Sequence, residues 1–425
     1  MRDQADQSTL LLRIYRGGGK EAIAPALSDI DQPFFGELMQ GGADGRSADL
    51  EHFAKSSFAR EILFPDSLGD PFSDRGRGLA GEGKSAGDVD GVEEAVHKEL
   101  PVVKSGSEVV MKDRGEIMKP SLSVKLWSAL PTPLDDKLRV DGSAVDRMIK
   151  DAVEEGMTGV FLAGTCGEGP WLQDEERIRL IEHAVVAAAG KLEIAAQVTD
   201  NSVPRVLDNI ARASEAGATL AIMATPSNYM NPTGDRMVAL FSDVARNSPL
   251  PLGIYDLGKH RPVAIPQDRL QEIYHLPNVQ MVKDSSSCPE RRAMALAARE
   301  LRPELQLFNG NEFKFIEYLE AGYDGCVFGG AIAVPAEMRR IVACFQAGEI
   351  EEAQGLQDEM VRVLYGIYGG EKIECWLTGL KYHLVRRGLF TSTTSFLGYP
   401  LTDSCRAFID ADVALRHRNI EQQTG

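Results

Sequence analysis

Apolar and polar residues follow two different spacings along the chain from about Leu126 onward. Short apolar runs, typical of buried strands, alternate with longer segments in which apolar residues recur every three or four positions, as on one face of a helix. The first helical segment, 143–155, places Val145 and Met148 on such a face, and Gly156 supplies its stop. The pattern therefore predicts a regular alternation of strands and helices.

The alternation repeats eight times. The strands are predicted at 126–129, 159–163, 193–197, 220–224, 252–255, 279–283, 305–309 and 325–328. The helices are predicted at 143–155, 174–189, 203–216, 233–246, 266–275, 288–301 and 312–321, and the eighth opens at Pro335. Strands that alternate with helices run parallel and are joined by right-handed crossovers, and eight such units fit a closed (β/α)8 TIM barrel. A doubly wound open sheet is the main alternative, but it needs a Gly-rich turn after the first strand, where this chain has Leu-Pro-Thr-Pro at 130–133.

Composition and hydrophobic pattern divide the chain into three parts. We predict a barrel over 118–345 and an appended C-terminal helical lobe over 346–425, with helical patterning at 350–388 and 403–417. The segment 1–117 is rich in Gly, Asp and Ser and has weak hydrophobic periodicity, so it buries too little apolar surface to offset its ordering entropy. It is interpreted as a poorly ordered extension, as a non-native addition preceding a true start at Met118, or as a small regulatory module.

Composition narrows the class of protein. The 425 residues carry 63 acidic and 46 basic side chains, a formal net charge of −17, which argues against a nucleic-acid partner or an anionic membrane. No apolar run approaches the roughly 20 residues that span a bilayer. The six cysteines form no Cys-x-x-Cys pair, so the pattern favours no metal site and indicates a reducing, cytoplasmic location.

A lysine at the end of the sixth predicted strand is the strongest chemical signal. Lys283 closes the otherwise apolar run 279–283, and a lysine buried there is costly unless it is paired or used. A desolvated neutral amine can attack a carbonyl and form a Schiff base. The alternative interpretation is a buried ion pair with the neighbouring Asp284.

Two further strand ends carry candidate chemistry at the same barrel mouth. The second strand is followed by a Gly-rich turn, 164–169, in which the backbone around Thr165 and Cys166 could bind a carboxylate; the alternative is a plain turn. The fourth strand is followed by Tyr229, a candidate proton carrier or a packing residue. Together an amine, a phenol and an anion cradle are more specific than any one of them.

In this order and spacing, the motifs resemble the dihydrodipicolinate synthase and N-acetylneuraminate lyase family, Schiff-base-forming class I pyruvate aldolases on a (β/α)8 barrel. The resemblance runs from about Leu126 to the C-terminus. It is carried by Leu-Pro-Thr-Pro at 130–133, Gly-Thr-Cys-Gly-Glu at 164–168, Thr-Pro-Ser-Asn-Tyr at 225–229, Val-Lys-Asp-Ser-Ser at 282–286, Gly-Asn-Glu at 310–312 and Gly-Cys-Val at 325–327.

The resemblance implies a role for each matching residue. Lys283 would form the imine with pyruvate, and Tyr229 would move protons while hydrogen-bonded to Thr165. The pyruvate carboxylate would lie against the backbone at Thr165 and Cys166. The remaining residues that would line the substrate site are Gly164 and Val327.

Three departures from the family pattern bear on substrate binding. Cys166 stands where the family usually has Thr or Ser, and a thiol is a weak donor. No arginine follows Tyr229 until Arg236, although synthases of the family usually carry one shortly after the tyrosine. After the fifth strand the chain reads Tyr-Asp-Leu-Gly-Lys-His-Arg at 255–261, where the family has Tyr-Asn-x-Pro; the basic residues there are a different anion site or solvated loop charges.

We therefore expect a cofactor-free, metal-free, pyruvate-dependent aldolase or lyase that joins pyruvate to an aldehyde or releases it from a keto-sugar acid. The alternatives are a sugar-acid lyase or dehydratase and, from another class, a barrel that binds a keto acid without catalysis. The resemblance also implies a homo-oligomer, such as a tetramer.

Overall fold

Eight strands form a closed parallel barrel in the computed structural model, which describes residues 123–424. The strands are β1 Lys125–Ala129, β2 Gly159–Leu162, β3 Glu193–Gln197, β4 Leu220–Met223, β5 Leu252–Asp256, β6 Val279–Asp284, β7 Gln306–Asn309 and β8 Gly325–Phe328. Each strand pairs with the next in sequence, and β1 pairs with β8 to close the ring. The predicted TIM barrel is confirmed, and the open sheet is excluded.

A helix follows every strand. These helices are α1 Gly142–Glu154, α2 Asp174–Ala188, α3 Val203–Glu215, α4 Gly234–Asn247, α5 Leu270–Tyr274, α6 Pro289–Leu301, α7 Phe315–Glu320 and α8 Pro335–Ala347. Local chemistry sets their ends. The Asp141 side chain accepts a hydrogen bond from the Ala144 N–H at 3.1 Å and caps α1, and Thr233 caps α4 in the same way through Arg236 N–H.

Two of the helices are shorter than the sequence pattern predicts. The predicted helix 266–275 begins as a 3₁₀ turn at Gln267–Arg269 and becomes α-helical only at Leu270. The predicted helix 312–321 begins at Phe315, because the Asn309 side chain donates to the carbonyls of Asn311 and Lys314 and holds the preceding residues in a turn.

The C-terminal region adds three helices beyond the barrel: α9 Ile350–Tyr368, α10 Trp376–Arg386 and α11 Asp403–Thr424. They form the predicted helical lobe. Among residues 123–424, none of the helices combines the length and apolarity that a bilayer crossing requires. The predicted extension 1–117 lies outside the described residues, and the domain boundaries at 118 and 346 stay predictions.

Side chains alternate between the inside of the barrel and the helix layer. The interior contains an apolar cluster that includes Trp127, Met281, Phe308 and Val327. The outer faces of the strands join the helices in a larger core. Since successive residues of a strand point to opposite faces, Lys283 points into the barrel as Met281 does, above the interior cluster.

Candidate active site at the C-terminal mouth of the barrel

Lys283 is buried at the mouth of the barrel and is 4% exposed. Its Nζ atom lies 4.1 Å from the centre of the Tyr255 ring and 4.8 Å from the centre of the Phe161 ring. Within residues 123–424 the structure shows no hydrogen bond or ion pair of this amine. Two aromatic faces therefore surround a buried amine that has no carboxylate partner, and such faces stabilise a cation held above them.

The ion-pair interpretation of Lys283 is wrong. Asp284 points to the opposite side of β6, where it accepts hydrogen bonds from the Ser286 hydroxyl at 2.7 Å and the Tyr323 hydroxyl at 3.1 Å. Burial raises the pKa of the Asp284 carboxyl. The alternation of side chains along a strand separates the two neighbours.

Lys283 lines a cavity of about 430 Å³, called the lysine cavity below. All of the strand ends that contribute to it are carboxyl ends, the position of active sites in this fold. Its lining residues are Ala129, Thr165, Cys166, Tyr255, Leu257, His260, Arg261, Pro262, Lys283, Gly310, Glu312, Val327, Gly329 and Trp376. The last of them belongs to α10, so the helical lobe also contributes to the cavity wall.

The turn after β2 brings Thr165 and Cys166 to the lysine cavity, as the sequence predicts. Among the described residues, the backbone N–H groups of Thr165 and Cys166 donate to no hydrogen-bond acceptor. Such free N–H groups in a turn fit an anion-binding site. Cys166 is buried, and burial raises the pKa of its thiol to about 12. Val327, from β8, also lines the cavity.

A buried ion pair fixes this turn. Glu168, in the left-handed region at φ 55°, pairs with Lys381 of α10, and both side chains are fully buried. The Lys381 amine also donates to the Thr394 carbonyl at 2.7 Å, and Ser395 donates to Glu168 at 2.7 Å. Burial lowers the pKa of Lys381. The helical lobe thus anchors the turn after β2 through one buried ion pair, and the additional hydrogen bonds help to satisfy its charged groups.

The structure does not bring Tyr229 to the lysine cavity. Tyr229 is half-buried, its ring lies 5.1 Å from the Arg236 guanidinium, and it is absent from the cavity lining. The predicted hydrogen bond between Thr165 and Tyr229 is not formed; the Thr165 hydroxyl instead accepts one from Arg261 at 3.1 Å.

Tyr255 is the phenol that does line the cavity, and the sequence analysis missed its role. Tyr255 faces the barrel interior because the next residue of β5, Asp256, faces outward. Asp256 accepts hydrogen bonds from Arg291 at 2.7 Å and from Tyr274 at 3.0 Å. These bonds hold the end of β5 against α6. The position of Tyr255, opposite Lys283 in the pairing of β5 with β6, was the available signal.

Glu312 is a second cavity residue whose role the sequence did not indicate. One carboxylate oxygen accepts from the Tyr368 hydroxyl and the other from the Gly330 N–H, both at 2.7 Å. Burial raises the pKa of Glu312, and the charge of Lys283 opposes that shift. Among residues 123–424, no three His, Cys, Asp or Glu side chains are grouped so that they could hold a metal ion.

The chain is similar to a known protein family. The model of the dihydrodipicolinate synthetase family matches residues 123–403. A 4-hydroxy-tetrahydrodipicolinate synthase from Gluconobacter oxydans is 29% identical over 292 residues, 68% of this chain and 94% of the relative. The enzyme of the same name from Listeria monocytogenes is 25% identical over 245 residues, 57% of this chain and 83% of the relative.

Solved structures show the same fold. The dihydrodipicolinate synthase from Bacteroides thetaiotaomicron matches with a TM-score of 0.62 and 24% identity, covering 69% of this chain and 98% of that one. The dihydrodipicolinate synthase from Acinetobacter baumannii, solved in complex with pyruvate, matches with a TM-score of 0.60 and 23% identity, covering 67% and 96%.

Proposed function

This chain belongs to the dihydrodipicolinate synthetase family, and on that premise we propose that it is a Schiff-base-forming, pyruvate-dependent carbon–carbon lyase in which Lys283 carries the imine. The observation that supports this most strongly is the buried Lys283 amine, which lies against two aromatic rings in the lysine cavity and has no acidic partner among the described residues. No such burial is needed for a lysine that merely solubilises a loop.

The chemistry begins with the amine. The Nζ lone pair of Lys283 adds to C2 of pyruvate, and the resulting carbinolamine loses water to give a protonated imine. Loss of a proton from the pyruvate methyl group gives an enamine. Its methyl-derived carbon forms the new bond to the carbonyl carbon of an aldehyde, whose oxygen takes up a proton. Water then hydrolyses the imine and restores the amine; cleavage runs the same steps in reverse.

Other residues of the lysine cavity serve these steps. The N–H groups of Thr165 and Cys166 bind the pyruvate carboxylate, beside Gly164, and Val327 packs against the pyruvate from β8. The rings of Tyr255 and Phe161 stabilise the positive charge of the imine. Different residues thus bind the carboxylate and stabilise the neighbouring cation.

Two tyrosines compete for the proton-transfer step. Tyr229 is the residue that the family resemblance implies, and its action requires the 225–233 segment to move towards Lys283. Tyr255 already lines the cavity and needs no such movement. The geometry therefore supports Tyr255 better as the proton carrier of this chain.

Borohydride trapping tests the proposal. Treatment with pyruvate and borohydride is expected to add one reduced pyruvyl group, pyruvate plus two hydrogens less one water, to the peptide that contains Lys283. Lys283→Ala should lose the adduct, and Lys150→Ala, at an exposed position of α1, should keep it. Wild-type protein that gains no mass on this peptide contradicts the mechanism.

A sugar-acid lyase is the second candidate, and the surroundings of Tyr229 favour it over lysine-pathway synthesis. Arg236, the first arginine after Tyr229, stacks on that ring and donates to the carbonyls of Met230 and Asn231, at 2.8 and 3.2 Å. Its Nη1 is thus used within its own loop. Consumption of aspartate semialdehyde with pyruvate would favour the synthase; release of pyruvate from a keto-sugar acid would favour the lyase. A cytoplasmic location and a homo-oligomer stay predictions.

A further inference from the structure

A second cavity, of about 480 Å³, lies at the amino end of the barrel and is called the amino-end cavity below. Its lining residues belong to the first three positions of the strands or lie just before them, as Glu193 does at the start of β3 and Leu220 at the start of β4. Active sites of this fold lie at the opposite, carboxyl ends of the strands. The amino-end cavity is therefore separate from the candidate active site.

The part of the amino-end cavity that borders the barrel interior is apolar. It is lined by Trp127, Leu220 and Met281, and all three belong to the apolar cluster inside the barrel. Val327 of the same cluster lines the lysine cavity, so a layer of apolar side chains separates the two cavities. A ligand of the amino-end cavity can thus bury an apolar body without touching Lys283.

Trp127 presents a hydrogen-bond donor without a partner. The residue is 1% exposed, and its indole N–H has no acceptor among residues 123–424. The indole N–H of a buried tryptophan usually has an acceptor, and buried polar atoms are nearly always hydrogen-bonded. A molecule in the amino-end cavity that carries a carbonyl oxygen would supply the missing acceptor.

The rim of the amino-end cavity has one excess positive charge among the described residues. Glu193 pairs with Lys125 at 3.2 Å, and Lys125 also donates to the side chain of Gln306 at 3.0 Å. Lys191, which is exposed and lines the cavity, has no acidic partner within residues 123–424. Its amine is therefore available to an anionic group at the open end of the cavity.

We propose that the amino-end cavity binds a small carboxylic acid whose apolar body ends in a carbonyl group. The carbonyl oxygen accepts a hydrogen bond from the Trp127 indole N–H, the body packs against Leu220 and Met281, and the carboxylate lies at the rim beside Lys191. The reverse orientation would leave a desolvated carboxylate beside a single neutral donor, which is unfavourable. The site does not depend on imine chemistry at Lys283.

Three matched probes test the class of ligand: 5-oxohexanoate carries both groups, hexanoate only the carboxylate and 2-hexanone only the carbonyl. The experiment uses the full chain with Lys283→Ala, so that a ketone forms no imine. The chain has three tryptophans, Trp127, Trp171 and Trp376, whose indole N–H signals are followed by NMR after ¹⁵N-tryptophan labelling. Adding Trp171→Phe or Trp376→Phe identifies two of the signals and leaves the third to Trp127.

The expected responses separate the carbonyl from the carboxylate. Both 5-oxohexanoate and 2-hexanone should move the Trp127 signal to lower field in a saturable way, and hexanoate should not, because it has no inner acceptor. Lys191→Gln should weaken the binding of 5-oxohexanoate by about two- to fivefold, the range of an exposed ion pair, and should leave that of 2-hexanone unchanged. Lys150→Gln, an exposed change on α1, is the control and should alter neither affinity.

The contrary results are equally specific. The inference is overturned if none of the probes moves the Trp127 signal up to its solubility limit, or if hexanoate moves it as far as 5-oxohexanoate does. A response of the Trp376 signal alone also overturns it, since that residue lines the lysine cavity. Equal weakening of 5-oxohexanoate and 2-hexanone by Lys191→Gln, or of neither, would overturn the placement of the carboxylate beside Lys191.

Discussion

Tyr255 and Lys283 are paired across β5 and β6, and the Lys283 amine lies 4.1 Å from the centre of the Tyr255 ring. The pairing of two strands thus fixes the distance between a nucleophilic amine and a phenol. Residues opposite each other in parallel strands remain together as long as the barrel is closed. The relationship depends on the most rigid part of the molecule rather than on a loop.

The first prediction separates the two candidate proton carriers. Tyr255→Phe keeps the ring beneath the amine and removes only the hydroxyl, so kcat should fall by roughly 10²- to 10⁴-fold while pyruvate still traps Lys283. Tyr229→Phe should change kcat by less than about tenfold, since the phenol lies outside the lysine cavity. Steady-state kinetics of both variants decide the matter, and the reverse order of the two losses would show that the 225–233 segment closes over the substrate.

The second prediction concerns the buried pair between Lys381 and Glu168. Lys381→Met leaves a buried carboxylate without its cation and should destabilise the protein by about 3–5 kcal/mol. The double variant Lys381→Met with Glu168→Gln should recover part of that loss, because no uncompensated charge remains. Urea unfolding of the two variants measures this difference. A double variant that is no more stable than the single one would show that the pair contributes through packing alone.

The third prediction is a pH dependence of stability from Glu312. Because burial raises its pKa above the ordinary value of 4.5, the folded protein binds this proton more tightly than the unfolded chain does. Stability contributed by the protonated group is present below pH 4.5 and is lost as the pH rises through the folded pKa. The unfolding free energy of the wild type minus that of Glu312→Gln should therefore decrease as the pH rises above 4.5. A difference that is flat or increases would contradict the assignment.

The fourth prediction concerns the thiol at the anion cradle. With a pKa of about 12, Cys166 should resist alkylation by iodoacetamide at pH 8 in the folded protein and react once the protein is unfolded. Peptide mass mapping distinguishes it from the other cysteines. Cys166→Thr, which supplies a stronger donor beside the carboxylate, should lower the KM of pyruvate by about two- to tenfold. Rapid labelling of folded Cys166 would show that the thiol is ionised more easily than its burial implies.

Sequence reasoning predicted the barrel because strand and helix spacings are set by local patterns, and these repeat eight times without interruption. It also placed Lys283 and Thr165 at the barrel mouth, since each directly follows or ends an apolar run. Sequence reasoning failed where the contact partner of a side chain comes from a distant part of the chain. Nothing near Asp284 in sequence shows that the Tyr323 hydroxyl donates a hydrogen bond to its carboxylate. An ion pair between Asp284 and Lys283 therefore remained a possible interpretation of the sequence.

The position of Tyr229 shows a second limit. A tyrosine shortly after β4 fits the family motif by type, but the type of a loop residue does not show where its side chain lies. Tyr255 lay at the end of a predicted strand and was given no chemical role, because an apolar run does not show which of its residues face the barrel interior. Register, which only the folded structure supplies, distinguishes the two.

The most direct measurement of the central claim is a crystal structure of the protein soaked with pyruvate. The account predicts continuous electron density from Lys283 Nζ to C2 of pyruvate, with the pyruvate carboxylate against the N–H groups of Thr165 and Cys166. Pyruvate bound without a covalent link, or density on a different residue, would contradict it.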